Sequence, residues 1–378
     1  MAVLVLLAGG VYAYARYRWS QVRTVACATC TPVVGGQPFN VLLVGSDSRA
    51  GESSQQAQRF GSATQVQGQR SDTVKILHVD PSSGTARLLS IPRDTFVTLS
   101  GVPSSSGLSP QQKINTAFDS GPDALIATIQ NTFGIPIAHF VQVDFQGLMN
   151  AVDTVGGIYL DFPYPVRDDN AGANQSGLAV PQPGCQKLDG AMTLALARSR
   201  YYQYLQNGYW HPDPTSDIGR IERQNIVIQA IAARARSSYD PLTVNAFLGG
   251  IVHDVTVDKA MGFSEMLSLV TKYHAFSPSS LQSFTLPVAP GVSPYAGDVE
   301  VVQQAQAQQV IRQFQGAAPG QVTTPPLSAS GTPMAPPAGA PTTGSPGASP
   351  GSGGSAPGAA APSPSASAPP YDPKLCNP

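Results

Sequence analysis

The chain has 378 residues and a formal net charge of −1, so it has no general basic footprint for nucleic acid, and any anion site on it must be local. Hydrophobic residues make up 42% and charged residues only 12%, about half the usual share of roughly 25%. Part of that deficit lies in 316–378, which is almost wholly Pro, Ala, Gly, Ser and Thr, has no apolar period to offset the entropy of ordering it, and reads as a disordered tail.

The chain opens with "MAVLVLLAGGVYAYA", which is uncharged and runs into "RYRW". The run is short of the roughly 20 residues a membrane-spanning helix needs, and no basic segment precedes it. Residues 1–16 are nonetheless expected to be a membrane anchor truncated at its start, because aromatic and Arg residues follow at the interface position; a signal cleaved after "AYA" is the rival. Either reading exports the remainder, and the anchor makes it a single-pass protein of the cell membrane with its domain on the extracytoplasmic side and 17–37 as a linker. Cys27, Cys30, Cys185 and Cys376 fit an oxidising compartment, and their three possible pairings stay open. Zinc is disfavoured, since there is no second CxxC and His211 and His253 lack ligand spacing.

The apolar run 39–45 ("FNVLLVG") is of strand length, and "DTVKILHVD" (72–80) and "TARLLSI" (85–91) flank "PSSG", a turn signal, so they predict an antiparallel hairpin. Helices are expected at 111–119 and at 122–133, where Pro stands early and Gly follows the end. A strand at 137–143, a short helix from "FQGLMNAVDTVGG", a strand at "IYLDF" and a helix at 189–197 come next. A long helix covers 216–236, followed by a strand at 251–257, a helix at 262–273, a strand at 281–287 and a helical extension over 291–315. Alternating strands and helices with an early hairpin predict an α/β fold, a mixed central sheet covered by helices on both faces.

Charges gather at the ends of the first three strands. "GSDSR" places Asp47 and Arg49 after the first, "RSDT" places Arg70 and Asp72 at the start of the second, and "SIPRDT" brings Arg93 and Asp94 back beside Asp72. If the first strand is also antiparallel to the second, Asp47 joins that end. Two carboxylates among arginines suit a divalent cation, Mg2+ or Mn2+, beside an anionic ligand, since magnesium takes one or two carboxylates plus phosphates and waters. Surface ion pairs are the plain alternative. In "LARSRYYQYLQNG", Arg198 and Arg200 share a face if the chain is extended there. The 216–236 helix aims Asp217, Gln224 and, beside them, Arg220 along the same stripe as Ile221, Ile228 and Ile231. Arginines in its first turns oppose the helix dipole unless an anion is bound.

In order along the chain, "GSDSR", "RSDT", "SIPRDT", "KINTAF", "VDFQGLMNAVDTVGGIYLDF", "LDGAMTLALARSR" and "DIGRIERQ" resemble the LytR-CpsA-Psr family of envelope enzymes, over about 39–236 within a catalytic domain of 38–290. The resemblance implies an apolar pocket for a polyprenyl chain and transfer of a glycopolymer from polyprenyl pyrophosphate to a peptidoglycan hydroxyl, giving a phosphodiester. By motif, Asp47 and Asp72 would hold the metal, and Arg93, Arg198, Arg200 and Arg220 would grip the pyrophosphate with Arg49, Arg70, Asp217 and Gln224 in support. Asp94 is a candidate base by proximity, weakened by its neighbouring Arg. The pocket itself is not legible: the stripes Leu125, Ile126, Ile129, Phe133 and Leu148, Met149, Val152 read equally as core. The aromatic residues Tyr201, Tyr202, Tyr204, Tyr209 and Trp210 form either a lip for sugar or membrane, or a packed loop. A pyrophosphate hydrolase and a non-enzymatic scaffold remain as rival readings, and the sequence is silent on oligomeric state. The connection between Asp47 and Asp72 is longer than in many members of the family.

Overall fold

A computed structural model of the chain describes residues 2–46, 71–215, 217–237, 252, 254–273, 281–316 and 369–376. The strands are β1 (Arg23–Val25), β2 (Phe39–Ser46), β3 (Ser71–Asp80), β4 (Thr85–Ile91), β5 (Phe96–Thr98), β6 (Gln111–Lys113), β7 (His139–Asp144), β8 (Ile158–Phe162) and β9 (Val166–Asp168). They continue as β10 (Ala179–Val180), β11 (Gly184–Leu188), β12 (Tyr202–Gln206), β13 (Tyr209–Pro212), β14 (Val255–Asp258), β15 (Gln282–Thr285), β16 (Val288–Ser293), β17 (Gly297–Val302) and β18 (Lys374–Leu375). The helices are α1 (Ala2–Trp19), α2 (Pro122–Phe133), α3 (Phe145–Thr154), α4 (Gly190–Arg198), α5 (Asp217–Ser237), α6 (Phe263–Tyr273) and α7 (Gln304–Phe314).

A mixed sheet of seven strands runs in the order β1-β14-β7-β2-β3-β4-β15. β2, β3 and β4 are successive antiparallel neighbours, with Ser46 opposite Ser71 and Val74 opposite Ile91. The end of β2, the start of β3 and the end of β4 therefore lie together at one end of the sheet. β7 joins β2 and β15 joins β4 in parallel, which makes the sheet mixed, as alternation and hairpin together predict.

The period of two along each strand divides the molecule. Leu42, Val44, Val74, Ile76, Leu89 and Ile91 point to one face, where Leu125, Ile126, Ile129 and Phe133 of α2 and Val310, Ile311 and Phe314 of α7 complete the largest core. α2 starts on Pro122 and stops at Gly134, whose φ of 66° lies in the left-handed region that favours glycine. Leu43 and Leu77, one position out of step, turn to the other face, where they and Ile228 of α5 pack against Ala86, Leu88 and Leu281. A second core, with Val152, Leu160, Phe162, Leu196 and Val227, ties α3, α4 and α5 to β8.

Several expectations are corrected. Residues 111–119 are not an α-helix: Gln111–Lys113 pairs with β5, and Ile114–Ser120 is a 3₁₀ helix. Ile114 and Ala117, three apart, fit its three-residue turn and are both buried. The stretch read as a linker, 17–37, contributes β1, which pairs in parallel with β14, and its Cys27–Cys30 disulfide packs on the main core. In 291–315 only the last part is helical; β16 and β17 form a hairpin around the turn "SPYAG", and α7 belongs to the main core.

Of the tail, 317–368 lies outside the described residues, but 369–376 is ordered, contrary to expectation. β18 pairs with β8, Cys376 is bonded to Cys185, and Tyr371 and Asp372 are buried. Averaged composition hides these few anchoring residues among the Pro and Gly around them. At the other end, no helix among the described residues is long and apolar enough to cross a membrane, which overturns the single-pass anchor read for 1–16 and the localisation built on it. The second half of α1 carries Tyr12, Tyr14, Arg16, Tyr17 and Arg18, and the Tyr12 ring packs edge-on against Phe263 of α6 at 5.4 Å.

Candidate functional site

Between the second face of the sheet and the layer formed by α3, α4 and α5 lies a cavity of about 650 Å3, within the range of small-molecule sites. Its walls are largely apolar, with Leu43, Val143, Leu148, Ala151, Leu194, Val227, Ile228 and Ile231. Asp72, Lys75, Asp144, Arg198, Arg200, Arg220 and Gln224 supply its charged and amide groups. Beside it a cleft of about 20 Å3, room for one water, is bordered by Asp72, Lys75, Arg93, Asp94, Asp217, Arg220, Gln224 and Glu300.

Local structure explains each placement. Asp189 caps α4 by accepting from the Met192 N–H at 2.8 Å, and Arg198 is the last residue of that helix. The Arg198 guanidinium lies 4.7 Å from the centroid of the Phe145 ring, a cation–π contact. Ser199 is extended and fully buried, so the chain turns through it and both Arg198 and Arg200 border the cavity. On α5, Arg220 and Gln224 stand about one turn apart; Gln224 Nε2 donates to the Ala197 carbonyl at 3.1 Å. Arg220 is 5% exposed and pairs through Nη2 with Asp217 Oδ1 at 3.2 Å, while its Nε has no hydrogen-bond partner among the described residues. Burial pulls its pKa down to about 10, Asp217 opposing and Arg93 and Arg200 assisting, which leaves it charged at neutral pH.

At the end of β4, Arg93 Nη1 donates to Asp72 Oδ1 at 2.6 Å and Nε approaches Asp94 Oδ2 at 3.3 Å, while Lys113 Nζ reaches Asp94 Oδ1 at 3.0 Å. Burial works against the Arg93 charge, but the two carboxylates outweigh it and hold its pKa above the usual value. Asp94 is thus shared by two cations. Asp72, Arg93, Asp94, Arg198, Arg200, Asp217, Arg220 and Gln224 thus meet at one cavity and its adjoining cleft. Asp47, Arg49 and Arg70 lie outside the described residues. Asp72 offers hard carboxylate oxygens to the cavity, the donor type magnesium takes alongside phosphates and waters; among the described residues no group of three or more His, Cys, Asp or Glu is set to hold a metal.

Not every charge at the start of α5 faces the cavity. Arg223 is 1% exposed and held at both Nη atoms, although its Nε, like that of Arg220, has no hydrogen-bond partner among the described residues: Nη1 reaches Asp213 Oδ2 at 2.6 Å and Asp372 Oδ1 at 3.1 Å, Nη2 donates to the Ser199 carbonyl at 3.3 Å, and the guanidinium lies 4.2 Å from the centroid of the Tyr202 ring. Carboxylates, one of them from the end of the chain, answer its opposition to the helix dipole, and no anion is required. The stripe of Leu125, Ile126, Ile129 and Phe133 is core, whereas Leu148 borders the cavity and Val152 is in the second core. Of the aromatic residues, Tyr201 borders the cavity, Tyr202 is buried, Tyr204 stacks on Tyr371 at 4.5 Å, and Tyr209 and Trp210 are exposed, with Arg167 over Trp210.

Sequence reasoning missed three residues here. Lys75 is 1% exposed and donates to Ser90 Oγ at 2.8 Å and Asn225 Oδ1 at 2.6 Å; burial, with Arg220 nearby, lowers its pKa to about 7. A lone Lys inside the apolar run "TVKILHV" was the available signal. Asp144 caps α3 by accepting from the Gly147 N–H at 2.8 Å, and burial raises its pKa. Glu300 comes from the β16–β17 hairpin, where the sequence offers no cue.

The profile of the LytR_cpsA_psr family matches residues 17–315. The chain is 33% identical over 236 residues to the probable cell wall biosynthesis protein LcpB of Corynebacterium glutamicum, covering 62% of this chain and 51% of that protein. It is 28% identical over 251 residues to the polyisoprenyl-teichoic acid--peptidoglycan teichoic acid transferase TagV of Bacillus subtilis, covering 66% and 56%. The chain therefore spans about half the length of these curated relatives. Among solved structures it resembles a LytR-Csp2A-Psr enzyme from Actinomyces oris, with a TM-score of 0.59, 21% identity, and coverage of 79% of this chain and 97% of the other, a likeness of fold.

Proposed function

Since the chain belongs to the LytR_cpsA_psr family, we propose that it moves a glycopolymer from a polyprenyl-pyrophosphate carrier to a hydroxyl of peptidoglycan, forming a phosphodiester. One observation carries the reading: a largely apolar cavity opens onto a cluster of guanidinium groups, which suits a ligand with a long hydrocarbon chain and an anionic head. Phosphoryl transfer asks the protein for positioning and charge stabilisation more than for covalent chemistry. The polyprenyl chain lies against Leu148, Val227, Ile228 and Ile231. Arg198, Arg200 and Arg220 hold the pyrophosphate oxygens, the unpaired Nε of Arg220 being a donor in search of an acceptor. Arg93, fixed by Asp72 and Asp94, presents its charge at the adjoining cleft. Gln224, tied to Ala197, keeps α4 and α5 in register beside the site. Magnesium or manganese, when bound through Asp72, with Asp47 as the second expected ligand, would neutralise phosphate charge.

The test is incubation of the full chain with a polyprenyl-pyrophosphate-linked glycan and uncrosslinked peptidoglycan, with the covalent product detected by mass spectrometry. Transfer is expected from the wild type, and Arg93→Ala is expected to lower it by about 10²–10³-fold. An Arg93→Ala variant with full transfer activity would overturn the scheme. Cleavage of the donor at the same rate with and without peptidoglycan would show a hydrolase instead.

A further inference from the structure

The transfer reaction needs a group to take the proton of the attacking hydroxyl, and the cleft distinguishes among its carboxylates. Asp72, Asp94, Asp217 and Glu300 all border it. Three have a cation within ion-pair distance: Asp72 has Arg93, Asp94 has Arg93 and Lys113, and Asp217 has Arg220. The Glu300 carboxylate makes no ion pair or hydrogen bond among the described residues. Its position is nevertheless fixed, because its backbone N–H donates to the Asp94 carbonyl at 2.9 Å and it forms a parallel bridge with Thr95. A carboxylate held by a cation is a weak base, since the cation stabilises its charge; an unpaired one beside other carboxylates is stronger.

We propose that Glu300 accepts the proton of the acceptor hydroxyl, an assignment that rests on the transferase reading above. The hydroxyl oxygen forms a bond to the phosphorus that carries the glycan. The anhydride P–O bond breaks, its electron pair leaves with polyprenyl phosphate, and the proton passes to the Glu300 carboxylate and then to solvent. The cleft has room for one water to relay it. Burial raises the Glu300 pKa, and Asp217 and Asp94 raise it further, in the direction a general base at neutral pH requires. The other charged groups bordering the cleft are Asp72 and Lys75 from β3, Arg93 after β4 and Arg220 from α5.

The experiment compares wild type, Glu300→Gln and Glu300→Ala in the transfer assay, with affinity for the polyprenyl-pyrophosphate-linked glycan measured separately. Glu300→Gln is expected to lower kcat by about 10²–10³-fold with donor affinity within about threefold of wild type, and to abolish the acidic limb of the pH profile. Added formate should restore part of the Glu300→Ala rate. Glu300→Gln turnover within about threefold of wild type, an unchanged acidic limb, or a loss explained wholly by weaker donor binding would overturn the assignment alone. A wild type with no turnover would instead sink the transferase reading, and the role of Glu300 with it.

Discussion

Arg220 and Arg223 stand three residues apart on α5, both almost fully buried, yet their charges are compensated in different ways. Arg223 is enclosed by Asp213, Asp372, the Ser199 carbonyl and the Tyr202 ring, so its charge is spent on the fold. Both leave Nε without a hydrogen-bond partner among the described residues, but Arg220 has a single half-exposed ion-pair partner, Asp217, and borders an open cavity. Burial alone therefore does not decide how a charge is compensated. What separates the two is the company of the charge: two buried carboxylates match Arg223, whereas Arg220 has one half-exposed carboxylate and borders a cavity.

The strongest way to disturb this contrast is to release the chain end that supplies Asp372. The Cys185–Cys376 disulfide joins residues 191 apart, and closing a loop of that length is worth about 5 kcal/mol by the chain-entropy relation. The double variant Cys185→Ser/Cys376→Ser should show a loss of that order in urea unfolding. Next, Arg223→Met leaves Asp213 and Asp372 buried without their cation, so a loss of about 3–5 kcal/mol is expected by the same measurement.

A pH series tests the cluster with a smaller effect. Burial pushes Asp372 up to about 6 against the pull of Arg223, and pushes Glu222 up to about 7 with Asp372 adding to it. Both folded-state values exceed the unfolded ones, so the folded state binds these protons more tightly, and the stability that these two groups contribute falls as pH rises from about 4 to 7. At about 1.4 kcal/mol per unit the two shifts set an upper limit of about 6 kcal/mol, and a loss of about half that is expected because the two carboxylates share one cluster and Glu222 is partly exposed; Asp372→Asn should reduce it. Asp213 stays out of this window: Thr215 and Arg223 outweigh its burial and lower its pKa. Lys75, lowered by burial to about 7, acts in the opposite sense above that pH, which limits the test to its acidic side. The smallest stability change belongs to Arg220→Met. Asp217 is 42% exposed and can be solvated, so stability should shift by less than about 1 kcal/mol while affinity for polyprenyl pyrophosphate falls about tenfold or more. Equal losses of stability in Arg220→Met and Arg223→Met would remove the distinction between the two.

Local patterns carried most of the architecture. The apolar runs and the "PSSG" turn predict β2, β3 and β4, and the Pro122 and Gly134 boundaries predict α2, because strand period, turn chemistry and helix ends are properties of neighbouring residues. The same holds for the charge motifs: Asp72 and Arg93 meet because a hairpin returns the chain to its own start. Hydrophobic pattern misled at 111–119 because 3₁₀ and α-helical spacing are hard to separate over a few residues, and composition misled at 369–376 because an average conceals single anchors.

The sequence by itself determined the mixed sheet, the order of its helices and the collection of carboxylates and arginines at one end of it. Only the tertiary structure decided which of those charges remain available. Asp372 reaches Arg223 across 149 positions, Asn225 reaches Lys75 across 150, and a bridge from Glu300 to Thr95 brings an unpaired carboxylate to the cleft. Whether a buried charge is satisfied depends on every group within a few ångströms of it, and chain distance does not encode that neighbourhood.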